Sequence, residues 1–191
     1  FQLGISIVNV PFFGVVHMGM WFLPFAVFTI VAFANAVNIT DGLDGLAAGV
    51  LLICLFGLWF LSATILDTTL SIFVALWIGA IIAFLYFNIY PARIMMGDVG
   101  ALSFGATLAV VGLLLGKIMA LVIIGGIFVV EIASSLMQLL SKRMRGGKKI
   151  FPAAPIHLWL QYRGWPEPKI VQRAMLTGIV LTLFGVWLTV I

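Results

Sequence analysis

Long, continuous apolar runs separated by short polar segments are the feature that most constrains this chain. Inside a bilayer every backbone polar group needs a partner within the chain, and a helix of about 20 residues provides one. Strands of a membrane barrel would alternate apolar and polar residues, which these runs do not. Hydrophobic residues make up 64% and charged residues 8% of the 191, and the mean hydropathy is +1.28. A soluble domain has about 25% charged residues. The sequence therefore predicts an all-α polytopic membrane protein.

Six apolar segments are long enough to be transmembrane helices. They cover about Met20–Ala36, Leu46–Ile65, Leu70–Phe87, Gly100–Leu115, Lys117–Leu140 and Lys169–Val190. Residues 1–16 are also apolar but contain Pro11, so a short hairpin or re-entrant piece at the membrane surface is expected there. Pro24 and the pair Gly125-Gly126 lie inside spans and could bend them. The segment 141–168 is the longest polar stretch, and we expect 1–191 to be one integral membrane domain.

The basic residues are concentrated on one side of the predicted bundle. Six spans place the loops 37–45, 88–99 and 141–168 on the same face. Nine of the ten Lys and Arg residues lie in or beside these loops, and Lys117 lies on the other side. Because basic loops are retained in the cytoplasm, this face is predicted to be cytoplasmic. The net charge of +4 is thus explained by topology in a lipid bilayer, and we expect no nucleic-acid partner.

Three of the six acidic residues, Asp41, Asp44 and Asp98, lie at span ends on that face. Asp-Gly is a common turn, and Asp44 or Asp98 could instead cap the helix that follows. Three carboxylates on one face nevertheless favour a site. Glycine-containing loops allow a phosphate to approach the backbone closely, and Mg²⁺ prefers oxygen ligands and often bridges phosphates. We therefore expect a Mg²⁺–phosphate site at these loops.

The other polar residues near this face have simpler explanations when taken alone. A lone histidine such as His157 is more often a packing or surface residue than a catalytic one. Asn38, Asn88 and Gln138 can be helix-end hydrogen-bonding groups, and Glu131 can pair with a neighbouring helix or a backbone group. A transporter or channel would carry polar residues through its spans, and Glu131 is the one acid inside a span, so that alternative is disfavoured.

Two segments resemble the polyprenyl-phosphate N-acetylhexosamine-1-phosphate transferases. Residues 35–47 read NAVNITDGLDGLA and match the family pattern NAxNxxDGLDGLA. Residues 87–93 read FNIYPAR and residues 96–100 read MGDVG, which match FNxxPAxxFMGDxG. The segments APIH, GWPEPK and PFF, which start at residues 154, 164 and 11, are similar to the branch of the family that uses MurNAc-pentapeptide. The resemblance covers essentially the whole chain and corresponds to the last six of the family's ten transmembrane helices.

The resemblance implies a Mg²⁺-dependent phosphosugar transferase of peptidoglycan synthesis in the bacterial inner membrane. It would transfer phospho-MurNAc-pentapeptide from its UDP carrier to undecaprenyl phosphate, giving lipid I and UMP. Members of the family form dimers, so a homodimer is one option. Since the chain begins with Phe1, we expect it to be the C-terminal part of a longer enzyme and inactive without the family's N-terminal aspartate pair. Two alternatives stay open, a UDP-GlcNAc:polyprenyl-phosphate GlcNAc-1-phosphate transferase and a catalytically degenerate relative, because residues 157–161 read HLWLQ where the family has HHHxE.

The resemblance also implies residue roles. Asp98 would be the Mg²⁺ ligand, and His157 would bind a phosphate or sugar of the substrate. Gln138 would approach the uridine, and Asn88 would support the metal loop. The predicted catalytic residues are Asp98, Asp41, Asp44 and His157, and the predicted substrate-binding residues are Asn38, Asp41, Asp44, Asn88, Gln138 and His157.

Overall fold

The computed structural model describes residues 7–10, 14–65 and 67–190. A short 3-10 helix at Gly19–Trp21 leads into a helical bundle. The helices are α1 (Phe22–Thr40), α2 (Leu46–Thr64), α3 (Thr68–Asn88), α4 (Gly97–Leu114), α5 (Ile118–Ile124), α6 (Gly126–Met144), α7 (Ile156–Tyr162) and α8 (Glu167–Val190). Five helices are long and apolar enough to cross a membrane, and six spans result if α5 and α6 count as one bent span. The chain is an all-α, multi-pass membrane protein, as predicted.

An antiparallel hairpin precedes the bundle. Strand β1 (Ile7–Val10) pairs with β2 (Gly14–His17), with Val8 opposite Val16. Val8 is buried, and β1 packs against α5. The expected hairpin is therefore confirmed, although its turn at residues 11–13 lies outside the described residues.

The predicted span from Lys117 to Leu140 is bent at the Gly125-Gly126 pair, where the sequence allowed a bend. Helix α5 ends at Ile124, and α6 leaves it at an angle of 78°. The two glycines at the corner also allow neighbouring helices to approach closely. A Cβ on Gly125 would lie 2.7 Å from Cε1 of Phe33 in α1, and a Cβ on Gly126 would lie 2.9 Å from Cδ1 of Leu181 in α8. The bend directs α6 away from α5 and toward α7 and the polar ends of the bundle.

Two other sequence-based expectations are refined by the structure. Pro24 does not bend α1, because it lies in the first turn, where a helix does not need the N–H that proline lacks. The polar segment 141–168 contains the end of α6, the whole of α7 and the beginning of α8. Its composition did not indicate α7, since seven residues are too few for a clear apolar period.

Helix α2 lies at the centre of the bundle. It packs against α3 on one side and α8 on another. In its most apolar stretch of 18 residues, 67% is buried. A helix that is apolar on all sides is stable when it is surrounded, which explains this position.

The crossing of α1 and α4 is a close backbone contact. A Cβ on Gly105 of α4 would lie 2.5 Å from the carbonyl oxygen of Phe33 and 2.7 Å from Cα of Ala34 in α1. Small residues permit such contacts between membrane helices. Because α1 ends beside Asp41 and α4 begins beside Asp98, this crossing fixes how the two aspartates are placed.

We expect Gly105→Ala to destabilise the full-length protein, because the added methyl group must push α1 and α4 apart, at a cost of about 1–3 kcal/mol. The measurement is the apparent Tm in detergent. Gly79→Ala is the matched control, since a Cβ there would meet nothing within 4 Å. Equal Tm values for Gly105→Ala and the wild type would contradict the close crossing.

Candidate functional site

The segment Asp41–Gly45, which connects α1 to α2 and is called here the Asp41–Gly45 loop, is where the predicted site residues meet. The N–H of Asp41 donates to the carbonyl oxygens of Val37 (3.0 Å) and Asn38 (3.3 Å), which ends α1. Gly45 has φ of +77°, a left-handed conformation that favours glycine, and α2 starts at the next residue. The loop is thus a tight turn between two membrane helices.

Asp41 and Asp98 lie close enough to affect each other. Asp98 is exposed in the first turn of α4, and Asp41 is half-buried. Desolvation raises the pKa of Asp41 from 3.8 to about 6; a backbone hydrogen bond from Gly97 lowers the pKa, and the negative charge of Asp98 raises it. The negative charge of Asp98 therefore acts on Asp41, and a positive charge near the two carboxylates would be favoured.

This pair of carboxylates fits a magnesium ion. Mg²⁺ is usually held by one or two protein carboxylates together with substrate phosphates and water, so a larger cage is not required. Across the described ranges, no group of three or more His, Cys, Asp and Glu residues is placed to hold a metal ion. The oxygen donors of Asp98 and Asp41 are the group that matches this requirement.

Asp44 joins three parts of the chain. Its Oδ2 accepts a hydrogen bond from the N–H of Ala92 at 2.9 Å. Its own N–H donates to Oε1 of Glu167, the first residue of α8, at 2.6 Å. The side chain does not cap α2, whose N-cap is Gly45, so the capping alternative is wrong for Asp44. Asp44 thus fixes the loop against both 89–96 and α8.

Asn88 reinforces the same connection. It is the last residue of α3 and is 1% exposed. Its Oδ1 accepts from the N–H of Gly45 at 3.2 Å, and its Nδ2 donates to the carbonyl oxygen of Ile94 at 2.9 Å. The segment that leads to Asp98 is therefore held to the Asp41–Gly45 loop, and the support of a metal loop by Asn88 stays a prediction.

Asp98 is also not a helix cap. The N-cap of α4 is Met96, and Asp98 lies within the first turn. A carboxylate there is stabilised by the partial positive charge at the helix N-terminus. Its side chain is exposed, so it is accessible to a ligand.

His157 faces the loop from α7. Its Nδ1 lies 2.9 Å from Oε2 of Glu131 in α6, and both residues are buried. A Cβ on Gly42 would lie 2.6 Å from Nε2 of His157. The structure thus brings His157 to the loop that carries Asp41 and Asp44.

Gln138 and Asn38 are placed differently. Oε1 of Gln138 accepts from the N–H groups of Ile150 (3.1 Å) and Phe151 (3.0 Å), and its Nε2 donates to the carbonyl oxygen of Phe151 (2.8 Å). These bonds hold the segment before α7 against α6. Asn38 is half-buried in the last turn of α1. The substrate-binding roles expected for both residues stay predictions.

Two acidic residues of the site were not predicted to belong to it. Glu131 was noticed as a buried acid in a span, but its partner His157 is 26 residues away. Glu167 lies in the GWPEPK segment that carried part of the resemblance, but its contact with Asp44 spans 123 residues. In each case the sequence showed an unusual acidic residue, Glu131 within an apolar span and Glu167 within the GWPEPK segment. Nothing in the sequence identified the partner of either residue.

We expect Glu167→Ala to destabilise the loop, because the N–H of Asp44 would lose its acceptor, at a cost of about 1–3 kcal/mol. The measurement is the apparent Tm of the full-length protein together with the rate of proteolysis. Glu167→Gln is the control, since its amide oxygen can still accept the bond. If the Ala and Gln variants behave alike, the contact does not stabilise the loop.

Comparison with known proteins identifies relatives of this chain. The family model for glycosyl transferase family 4 matches residues 1–116. A phospho-N-acetylmuramoyl-pentapeptide-transferase of Chloroflexus aggregans is 44% identical over 194 residues, which cover 97% of this chain and 53% of the relative. The proteins of that name from Thermodesulfovibrio yellowstonii and Aquifex aeolicus are 38% and 39% identical and cover 94% and 95% of this chain. These two alignments each cover 55% of the relative.

The chain spans about half the length of the curated relatives it matches. The match to the family model includes both predicted motif segments, with Asp41, Asp44 and Asp98, and covers more than half of the chain. The chain therefore belongs to glycosyl transferase family 4.

Proposed function

We propose that the full-length protein transfers phospho-MurNAc-pentapeptide from its UDP carrier to undecaprenyl phosphate, giving lipid I and UMP. The support comes from the relatives' shared name and from the arrangement of the site. Because this chain spans about half the length of those relatives, we also propose that it is inactive alone. A homodimer in the bacterial inner membrane belongs to the same proposal.

The observation that carries this proposal is the proximity of Asp41 and Asp98 at the ends of α1 and α4. The charge of Asp98 contributes to the raised pKa of Asp41, so the two carboxylates lie near enough to interact. A diphosphate brought to this space needs its negative charge neutralised. We assign Asp98 as the Mg²⁺ ligand, with Asp41 beside it.

The reaction is the displacement of one phosphate oxygen by another. An oxygen of the lipid phosphate forms a bond to the sugar-linked phosphorus of the UDP-sugar, and the bond from that phosphorus to the UMP oxygen breaks. Such reactions depend on positioning and charge neutralisation more than on covalent chemistry by the protein. Mg²⁺, when bound, would neutralise charge on the diphosphate.

The chain's own residues would position the reactants. Asp98 would supply the oxygen ligand to Mg²⁺, with Asp41 beside it, and Nε2 of His157, which lies next to Gly42 of the loop, would contact a phosphate or sugar oxygen. Asp44 acts mainly by holding the loop, since its carboxylate binds the N–H of Ala92. Asn38, in the last turn of α1, is assigned to the nucleotide sugar.

The position at helix ends suits a water-soluble donor and a lipid acceptor. The Asp41–Gly45 loop lies between two membrane helices, on the face with nine of the ten basic residues. Lys117, in contrast, reaches the carbonyl oxygen of Thr189 near the other end of α8 (3.4 Å). Because basic loops face the cytoplasm, we place the active site on the cytoplasmic face, where a UDP-sugar is available.

We expect Asp98→Asn to lower Mg²⁺-dependent UMP release by the full-length enzyme by about 100-fold or more, since a charged ligand is lost. The measurement is UMP release across a Mg²⁺ titration. Asp67→Asn is the matched control, because Asp67 caps α3 through the N–H of Leu70 and Asn can cap equally well. Undiminished turnover by Asp98→Asn would remove Asp98 from this role.

A second prediction concerns the sugar. Where the family has two further histidines, this chain has Leu158 and Trp159, and Trp159 packs against Phe151 and Arg163. Because this difference keeps the GlcNAc alternative open, the two UDP-sugars should be compared directly. We expect the full-length protein to release UMP from UDP-MurNAc-pentapeptide and undecaprenyl phosphate faster than from UDP-GlcNAc. Preference for UDP-GlcNAc would overturn the assigned substrate, and no release from either would favour a degenerate relative.

A further inference from the structure

Glu131 and His157 form a buried pair that joins α6 to α7. Glu131 lies in the second turn after the bend and is 3% exposed, and His157 is 2% exposed. Their Oε2 and Nδ1 atoms are 2.9 Å apart. A buried carboxylate needs a partner, and His157 provides one.

This contact determines which ring nitrogen carries a proton. If Glu131 is ionised, its carboxylate can only accept hydrogen bonds, and Nδ1 of His157 is then the donor. The second nitrogen, Nε2, then presents a lone pair if the ring is neutral and an N–H if it is charged. In proteins, the partner of one ring nitrogen commonly sets the tautomer and orientation that the other nitrogen uses.

The free nitrogen points at the Asp41–Gly45 loop. A Cβ built on Gly42 would lie 2.6 Å from Nε2, 3.3 Å from Cε1 and 3.6 Å from Cδ2 of His157. The Nε2 edge of the ring is therefore the part nearest to Gly42. Within the part of the chain that the structure describes, the side-chain hydrogen bond of His157 is the one through Nδ1, so Nε2 lies beside the loop without a hydrogen-bond partner.

We infer that Glu131 is a positioning residue for the transferase: it fixes the orientation and tautomer of His157 so that Nε2 faces the ligand bound at the Asp41–Gly45 loop. This inference rests on the proposed function for the identity of the ligand, a phosphate or sugar oxygen of the nucleotide sugar. The bend at Gly125 contributes, because it directs α6 toward α7.

A purely structural link between α6 and α7 makes a different prediction from a positioning role. Glu131→Gln keeps the shape of the side chain and its ability to form a hydrogen bond. The amide, however, has an N–H donor as well as an acceptor oxygen, so it no longer requires the ring proton to be on Nδ1. A structural link would tolerate Gln, whereas a tautomer-setting role would not.

The first experiment observes the ring directly and requires no turnover. The full-length protein is labelled with [¹⁵N]histidine, and the signal of His157 is identified by its loss in His157→Ala. We expect a protonated Nδ1 in the wild type and loss of that state in Glu131→Gln. An unprotonated Nδ1 in the wild type, or an unchanged spectrum in the variant, would overturn the inference.

The second experiment measures UMP release. We expect Glu131→Gln to lower kcat by about 10- to 100-fold, the usual effect of losing a partner of a functional histidine, with little change in KM or apparent Tm. In a His157→Ala background the same change should cause no further loss, because Glu131 acts through His157. Ser134→Ala is the matched control on α6, since the Ser134 hydroxyl donates to the carbonyl oxygen of Glu131 (2.8 Å) and not to its carboxylate, and it should keep wild-type kcat.

The two experiments separate this inference from the proposed function. If kcat is unchanged in Glu131→Gln, or falls equally with and without His157, the positioning role is wrong even if the transferase activity is confirmed. If the wild type releases no UMP from either UDP-sugar, the proposed function fails, and the tautomer measurement still decides whether Glu131 sets the state of His157.

Discussion

The hydrogen bonds that fix the Asp41–Gly45 loop are the interactions on which the rest of the site depends. The loop is short, and its shape is set by hydrogen bonds to residues from distant parts of the chain. Asn88 binds the N–H of Gly45, Glu167 binds the N–H of Asp44, and Ala92 donates to the Asp44 carboxylate. The N–H groups of Asp44 and Gly45 are thereby paired, as a membrane environment favours. Asp41 belongs to the same loop, so its position depends on these partners.

Close helix packing provides the second constraint, and glycine makes it available. At Gly105 the backbones of α1 and α4 touch, and at Gly125 the ring of Phe33 occupies the space that a side chain would fill. Both contacts involve α1 close to Phe33. The same segment of α1 therefore fixes the start of α4, which carries Asp98, and the corner from which α6 carries Glu131 toward His157. The helix packing inside the bilayer and the geometry of the site at its surface therefore depend on the same segment of α1.

Much of this arrangement could be predicted from sequence. Continuous apolar runs indicated the spans, and the Asp-Gly loops indicated the face that carries the site. The angle between α5 and α6 could not be predicted, because a glycine pair permits a bend without fixing its direction. Helix α7 was too short to show a period. The contacts of Glu131 with His157 and of Glu167 with Asp44 depend on how whole helices pack, and composition contains no information about that.

The charges of the site determine what kind of ligand it can bind. Asp41 and Asp98 share a space in which Asp41 already has a raised pKa, and a diphosphate would add further negative charge there. Such a ligand can be bound only if positive charge is supplied, since like charges at short range in a partly desolvated site repel strongly. The carboxylates of Asp44 and Glu167 do not add to this repulsion in full, because each accepts a backbone N–H. The carboxylates left at the loop are those of Asp41 and Asp98, which supports the proposed assignment of the magnesium ion to Asp98 with Asp41 beside it.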